Sequence, residues 1–165
     1  MHKQKLNEVL GNIPLSYKSS ANRLDVEITG IQYDSRLVEP GHIFVALVGG
    51  NVDGHSYIEL AAEKGAVAVI GPQSVELWNH INIPYFQFEN TRVALAYLSA
   101  SFYGFPSRSM VLIGVTGTDG KTTTSNMIYQ ILKTAGFKAG MISTVNAQIG
   151  DEILDTGFHV TTPEA

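Results

Sequence analysis

A short apolar run followed by two glycines, a lysine and threonines constrains this chain more than any other stretch. Residues 110–115, Met-Val-Leu-Ile-Gly-Val, are typical of a strand buried on both faces of a sheet. Gly117 and Gly120 permit a tight turn whose N–H groups point inward. Lys121 and Thr122 then begin a helix, whose N-terminus favours negative charge. The pattern predicts a strand, a phosphate-binding loop and a helix that together bind a nucleoside triphosphate with Mg²⁺.

The spacing of this stretch departs from the usual P-loop pattern, G-x-x-x-x-G-K-S/T. Val115 stands where that pattern has its first glycine, and Gly114 to Thr122 read G-x-x-G-x-x-G-K-T instead. The alternative interpretation is a glycine-rich turn followed by a chance Lys-Thr pair. We favour phosphate binding because the strand, the loop and the helix occur in the required order.

Composition and charge exclude several classes of function. The 165 residues, 44% of them hydrophobic and 16% charged, predict a globular chain of one domain or one and a fraction. A net charge of −4 gives no general attraction to nucleic acid or to anionic membranes. The absence of cysteine excludes disulfides, thiolate nucleophiles and cysteine-based zinc sites. No apolar run resembles a signal peptide or reaches membrane-spanning length, so we expect a cytoplasmic protein.

Hydrophobic periodicity predicts an α/β fold on both sides of the loop. Before the loop we expect strands at 24–28, 43–47, 66–70 and 84–88, with helices near 6–10, from 56 to 62, within 73–80 and after Asn90. Ser56 and Glu59 form a capping-box pattern for one of these helices. After the loop, the pattern predicts an amphipathic helix, a strand at 139–142 and a hairpin at 149–153.

Two further segments bear on how the chain is divided. Residues 104–109 are typical of a connector between domains, and Thr162-Pro163-Glu164 has the pattern of a helix N-terminus. A P-loop domain also needs further strands and helices to cover both faces of its parallel sheet. We therefore expect this chain to be the front portion of a longer protein.

Several separated motifs resemble the Mur ligase family, and they extend over essentially the whole chain. They are Asp34-Ser-Arg36, Pro40-Gly41, Phe44-Val-Ala-Leu47, Asp53-Gly-His55, Gly65-Ala-Val-Ala-Val69, Phe102-Tyr103, Pro106-Ser107, Gly114–Thr124 and Thr161-Thr-Pro-Glu164. The resemblance implies a small N-terminal α/β domain at 1–107 that binds a UDP-linked substrate. It also implies that 108–165 is the incomplete first part of a central P-loop, parallel-sheet domain that binds ATP.

The resemblance implies a specific chemistry. Enzymes of this family use ATP to phosphorylate the terminal carboxylate of a UDP-N-acetylmuramoyl peptide, and the amine of an amino acid then attacks the acyl phosphate. This chain is most similar to the branch that adds the third stem amino acid to UDP-N-acetylmuramoyl-L-Ala-D-Glu during peptidoglycan synthesis. ATP, Mg²⁺, the UDP-sugar peptide and an amino acid are the implied ligands. We expect a monomeric cytoplasmic enzyme that binds neither nucleic acid nor membrane.

The resemblance also assigns site residues. Lys121 is the catalytic residue on the β- and γ-phosphates, and Thr122 is the Mg²⁺ ligand. The ATP-binding positions are Gly117, Thr118, Asp119, Gly120, Lys121, Thr122 and Thr123. The positions that contact the UDP-sugar peptide are Tyr33, Ser35, Gly50, Asn51, Val52, Thr161 and Thr162.

Some positions depart from the family pattern. His42 replaces the usual acidic residue after Pro-Gly, Asp119 replaces the commoner asparagine, and Val160 lies where some members have asparagine. The family's carbamylated lysine, later Mg²⁺ ligands, adenine site and C-terminal domain would all follow Ala165. We therefore expect the 165 residues alone to be inactive.

Simpler interpretations exist for individual residues. Asp34-Ser-Arg36 alone would indicate a turn at the end of a strand with a solvated ion pair. His55 lacks the spacing of a metal site and is expected to be a loop or cap residue, and Trp78 is expected to be partial core. Competing functions are a non-catalytic UDP-sugar-binding fragment, a ligase that adds D-Ala-D-Ala and a cyanophycin-type synthetase. Thr161-Thr-Pro163 argues against the last two, and no segment for a kinase or GTPase is visible.

Overall fold

The computed structural model describes residues 2–20, 25–49, 53–143 and 145–154, and its fold is mixed α/β. The chain divides into two compact units, of which the first ends at Met110 and the second begins at Val111. The first unit has a five-stranded and a two-stranded sheet, and the second has a three-stranded sheet.

The first unit alternates short strands with helices. Its strands are β1 (Gln4–Lys5), β2 (Lys18–Ser19), β3 (Glu27–Ile28), β4 (Gly30–Gln32), β5 (His42–Val45), β6 (Ala68–Gly71) and β7 (Tyr85–Gln87). Its α-helices are α1 (Leu6–Gly11), α2 (Ile58–Glu63) and α3 (Thr91–Phe102). Short 3₁₀ helices occur at Ser35–Leu37, Gly54–Tyr57, Val75–Trp78 and Pro106–Ser109.

The main sheet of the first unit has the strand order β2-β7-β6-β5-β4. Strands β4 to β7 are parallel, with Ile31 opposite Ile43 and Ile70 opposite Phe86, and β2 pairs antiparallel with β7. Strands β1 and β3 form a separate antiparallel pair. Because the carboxyl ends of parallel strands meet at one edge, the loops that follow β4 to β7 gather there.

The core of this unit lies on both faces of the sheet, as the apolar strand sequences predict. Along β5, Ile43 and Val45 face one cluster, while Phe44 and the following Ala46 face the other. The first cluster includes apolar residues of α1 and α3, namely Leu6, Val9, Leu10, Ala94, Leu95, Leu98 and Phe102. The second includes Ile58 and Ala61 of α2, with Trp78 packed against it.

Helix boundaries in the first unit follow from identifiable caps. The Asn90 side chain accepts hydrogen bonds from the N–H groups of Arg92 and Val93, both at 3.1 Å, so the predicted N-cap is confirmed. The predicted capping box at Ser56 is wrong. Asp53 instead accepts the His55 N–H at 2.9 Å and caps the 3₁₀ turn, and α2 starts only at Ile58. Asp53 caps the 3₁₀ turn because an aspartate side chain readily accepts the backbone N–H two residues later, in an Asx turn.

The second unit consists of α4 (Lys121–Thr134) and the strands β8 (Gly140–Ile142), β9 (Ala147–Ile149) and β10 (Glu152–Leu154). The three strands form an antiparallel sheet in sequence order. Gly150, with φ of +61°, supplies the left-handed backbone of the β9–β10 turn, so the predicted hairpin is confirmed. The Tyr129 hydroxyl donates to the Gly150 carbonyl at 2.5 Å and joins α4 to this turn.

The predicted buried strand before the loop is wrong for this structure. Residues 111–116 form no strand, and Val111 and Leu112 are 88% and 70% exposed. The apolar residues Met127 and Ile131 of α4 are exposed as well. A strand buried on both faces needs partner strands at its edges and helices on its faces, and the described part of this unit offers 111–116 neither.

Asn90→Ala is expected to destabilise the first unit by about 1 kcal/mol, because two N–H groups of α3 lose their acceptor. Urea unfolding followed by the fluorescence of Trp78, the single tryptophan, measures this change. Asn90→Asp keeps an acceptor and is the matched control. An unfolding midpoint of Asn90→Ala equal to that of the wild type would contradict this role of the cap.

Candidate functional site

The loop before α4 has a backbone that favours glycine at two positions. Gly117 has φ of +151° and Gly120 has φ of +75°, a region that other residues rarely adopt. No atom lies within 4 Å of a Cβ placed on Gly120. The conformation, and not a lack of space, therefore requires glycine there.

Lys121 folds back over this loop. Its ammonium donates to the carbonyl oxygens of Gly117 at 2.7 Å and Thr118 at 3.2 Å. The positive charge is therefore held against two backbone carbonyls of the loop, which phosphate oxygens can replace as acceptors. Asp119 lies in the same loop and is exposed.

The N-terminus of α4 has no side-chain cap. The first helical hydrogen bond runs from the Thr124 N–H to the Gly120 carbonyl at 2.9 Å. Gly120 has no side chain that could accept a hydrogen bond from the N–H groups of residues 121–123. The N–H groups of Lys121, Thr122 and Thr123 thus form the positive end of a fourteen-residue helix. A helix start of this kind, with a lysine beside it, suits a phosphate group.

Thr122 has a ligand type that Mg²⁺ accepts. It is half-buried in the first turn of α4, and its carbonyl accepts from the Asn126 side chain at 2.8 Å. Its hydroxyl is a hard oxygen ligand of the class that Mg²⁺ binds together with phosphate oxygens. Among the described residues, no group of three or more histidine, cysteine, aspartate or glutamate side chains could hold a metal by itself.

The second group of candidate residues lies where β4 ends. Tyr33 is exposed, while Ser35 begins a 3₁₀ turn and is only 7% exposed. Asp34 caps this turn by accepting the Arg36 N–H at 3.0 Å, and its carboxylate pairs with the Arg36 guanidinium at 2.6 Å. Hydrogen bonds from the Arg36 side chain lower the pKa of Asp34. The pair fixes the turn that contains Ser35.

The structure assigns the candidate residues to different units. Tyr33 and Ser35 belong to the first unit, and 117–123 belongs to the second. The other predicted substrate contacts lie outside the described residues, and they are Gly50, Asn51, Val52, Thr161 and Thr162. Val160 and the predicted helix start at 162–164 lie outside them too.

Sequence reasoning missed a buried polar cluster in the first unit. His55, predicted to be a loop or cap residue, is only 5% exposed and hydrogen-bonds both Asp53 and Tyr85. Trp78 is partly buried, as predicted, and its ring stacks on those of His55 and Tyr85 at 5.8 and 5.7 Å between centroids. Tyr85 is thirty residues from His55, so no local pattern could have indicated the contact.

The mixed α/β fold and the glycine turn that begins α4 are typical of proteins that bind nucleotide phosphates. Residues 27–103 match the sequence model described as Mur ligase family, catalytic domain, and residues 115–165 match the one described as Mur ligase middle domain. Together the two matches cover most of the chain. The chain belongs to the Mur ligase family, which confirms the predicted resemblance.

Individual relatives agree with this assignment. UDP-N-acetylmuramoyl-L-alanyl-D-glutamate–2,6-diaminopimelate ligase of Bacillus licheniformis is 42% identical over 98% of this chain and 31% of its own length. UDP-N-acetylmuramyl-tripeptide synthetase of Deinococcus radiodurans is 40% identical over 98% of this chain and 33% of its own length. The crystal structure of MurF ligase from Thermotoga maritima in complex with ADP aligns with a TM-score of 0.52 and 33% identity, over 63% of this chain and 23% of that one.

Two further findings concern the length of the chain relative to its relatives and the character of its helices. The chain spans about a third of the length of these curated relatives. Among the helices of the described residues, none has the length and apolar character needed to cross a membrane.

Asp34→Ala is expected to destabilise the first unit by about 1 kcal/mol at pH 7, because the 3₁₀ turn loses its cap. The lowered pKa of Asp34 means that its contribution is present above the ordinary carboxyl pKa and is lost as the pH falls through the lowered value. The difference from the wild type should therefore narrow at low pH.

Urea unfolding of both proteins at pH 7, 5 and 3, followed by Trp78 fluorescence, measures this narrowing. Glu39→Ala removes an exposed carboxylate from the same connection and is the control. A stability difference for Asp34→Ala that is constant across the three pH values would refute the assigned role of the carboxylate.

Proposed function

We propose that this chain contributes the ATP-phosphate loop and the UDP-substrate domain of an ATP-dependent amide ligase of peptidoglycan precursor synthesis. The observation that carries the proposal is the Lys121 ammonium held over a glycine turn at the uncapped start of α4. The reaction adds the third stem amino acid to UDP-N-acetylmuramoyl-L-Ala-D-Glu. The names of the B. licheniformis and D. radiodurans relatives support this step.

ATP is the proposed phosphoryl donor, and 117–123 is its phosphate site. The left-handed Gly117 and Gly120, the free N–H groups of 121–123 and the Lys121 ammonium all suit a triphosphate. Lys121 offsets negative charge on the β- and γ-phosphates as the γ-phosphoryl group moves to the substrate carboxylate. The ADP named in the T. maritima structure supports a nucleotide in this family.

Mg²⁺ is the proposed metal, with the Thr122 hydroxyl as its ligand from this chain. When bound, the ion would supply further positive charge to the phosphate oxygens. Lys121 and the backbone N–H groups of α4 supply the rest of the charge that this chain contributes.

The UDP-sugar peptide is the proposed acceptor substrate, bound mainly by residues 1–107. The contacts in this domain are Tyr33, Ser35, Gly50, Asn51 and Val52. Residues 108–165 form the first part of the ATP-binding domain, and Thr161 and Thr162 contact the muramoyl peptide. The parallel strands β4 to β7 support a ligand site at their carboxyl edge, because α/β sheets bind ligands at that edge. We place the enzyme in the cytoplasm as a monomer.

A binding function without turnover is the second candidate for these 165 residues by themselves. The exposed apolar residues Val111, Leu112 and Met127 favour it, because the described residues around the phosphate loop provide little packing to hold the loop rigidly. Substrate binding by the first unit needs none of those contacts.

Lys121→Ala in the complete reading frame is expected to lower ligation by about 10²-fold or more, because the charge on the transferred phosphoryl group loses its counter-ion. ADP release and the mass of the amide product measure the reaction, with several amino acids offered separately. Lys133→Ala is the matched control, because Lys133 lies on the same helix and its ammonium pairs with the exposed Asp151. A ligation rate of Lys121→Ala equal to that of the wild type would contradict the proposal.

The 165-residue chain is expected to bind a UDP-N-acetylmuramoyl peptide without hydrolysing ATP. Isothermal titration calorimetry measures the binding, and a phosphate-release assay measures hydrolysis. Heat of binding with no phosphate release agrees with the proposal. Absence of binding would contradict the substrate role of residues 1–107.

A further inference from the structure

Asp53, His55 and Tyr85, the first residue of β7, form a continuous hydrogen-bonded chain that passes beside Gly71, the last residue of β6. The distance from His55 Nδ1 to Asp53 Oδ1 is 2.6 Å, and that from His55 Nε2 to the Tyr85 hydroxyl is 3.2 Å. His55 and Tyr85 are buried, while the Asp53 side chain is 46% exposed. We call these three residues the Asp-His-Tyr chain.

The direction of each hydrogen bond follows from the chemistry of the groups. Hydrogen bonds from the His55 backbone and ring lower the pKa of Asp53, so its carboxylate is an acceptor and Nδ1 must donate. In the tautomer with the proton on Nδ1, Nε2 accepts and the Tyr85 hydroxyl donates to it. Burial raises the pKa of that hydroxyl, which keeps its proton available for donation. Every ring nitrogen of His55 thus has a partner.

The space around this chain is closely filled. A Cβ on Gly71, the last residue of β6, would lie 2.6 Å from His55 Nε2 and closer still to the Tyr85 hydroxyl oxygen. A Cβ on Gly54 would lie 2.8 Å from the backbone N and O of Leu47. Glycine at position 71 therefore leaves room for the His55 ring and the Tyr85 hydroxyl at the end of β6, and glycine at position 54 permits close approach to the Leu47 backbone.

The same residues close a loop. The Gly54 N–H donates to the Leu47 carbonyl at 2.9 Å, and Val48 forms a bridge with Asp53. Val48 and Asp53 are therefore held side by side just after the carboxyl end of β5. The ring of His55, stacked on Trp78, anchors the returning end to the sheet.

We propose that His55 and Tyr85 are positioning residues for nucleotide recognition by the first unit. Through Asp53 they set where the loop after β5 rejoins the sheet, at the edge to which the UDP moiety of the substrate is assigned. This inference rests on the proposed function of residues 1–107. Neither residue needs to touch the ligand.

Polar groups are a poor choice for stability alone at this place. Burying an imidazole and a hydroxyl costs free energy that an apolar core of equal volume would not. A fully satisfied polar chain, however, permits a single geometry, because each donor has one acceptor at a fixed distance. Precise placement of the loop base is the benefit that accounts for this cost.

Tyr85→Phe tests the proposal, because it removes one hydroxyl and keeps the ring that packs in the core. We expect the affinity of the 165-residue chain for UDP, measured by isothermal titration calorimetry, to fall about tenfold, as loss of one buried hydrogen bond implies. Gly71→Ala displaces the same hydroxyl by its added methyl group and should act in the same direction. Tyr17→Phe is the matched control, because Tyr17 packs on Phe86 and Phe88 in the opposite cluster.

A kinetic readout separates positioning from a general loss of structure. In the complete reading frame, Tyr85→Phe should raise KM for the UDP-sugar peptide about tenfold and leave kcat and KM for ATP unchanged. Equal UDP affinity of wild type and Tyr85→Phe overturns the positioning role while the proposed function stands. Failure of the wild-type chain to bind UDP overturns both. A tenfold fall in kcat of Tyr85→Phe, or a rise in its KM for ATP, also overturns the positioning role.

Discussion

Coverage of both faces of the parallel sheet is the constraint on which the first unit depends. Strands β5 and β6 have apolar side chains on both faces, so each face must pack against helices: α1 and α3 on one, α2 on the other. With both faces covered, the ends of the parallel strands are the usual place for a ligand to reach such a sheet. The turn of Ser35 follows the carboxyl end of β4, the Val48–Asp53 bridge follows that of β5, and His55 lies beside Gly71 at the end of β6. The position of the candidate substrate site is thus a consequence of the packing.

The second unit shows what happens when this constraint is not met. Residues 111–116 have the sequence of a doubly buried strand but are exposed, since the described part of the unit provides no layer to cover them. The glycine turn and α4 form nevertheless. Their geometry depends on local backbone preferences at Gly117 and Gly120 and on helical hydrogen bonds, which need no distant partner.

This difference explains how far the sequence could predict the structure. The cap at Asn90, the hairpin turn at Gly150 and the apolar strands of the first unit depend on nearby residues or on periodicity, and these predictions are confirmed. The placement of 111–116 depends on neighbours distant in sequence, and that prediction is wrong. The contact between His55 and Tyr85 depends on strand register, which periodicity does not determine. The assignments of Lys121, Thr122 and Ser35 to ligands stay predictions.

The two carbonyl partners of Lys121 have a consequence for anion selectivity. Any anion that enters the loop must replace hydrogen bonds that the ammonium already makes to Gly117 and Thr118, so binding is a substitution of ligands. A small monatomic anion offers a single acceptor, which cannot replace both carbonyl oxygens as partners of the ammonium. A polyphosphate offers several charged oxygens at once, and charge-assisted bonds to them are stronger than those to neutral carbonyls. The proposed phosphate loop would therefore select by the number of oxygens that a ligand presents as well as by charge.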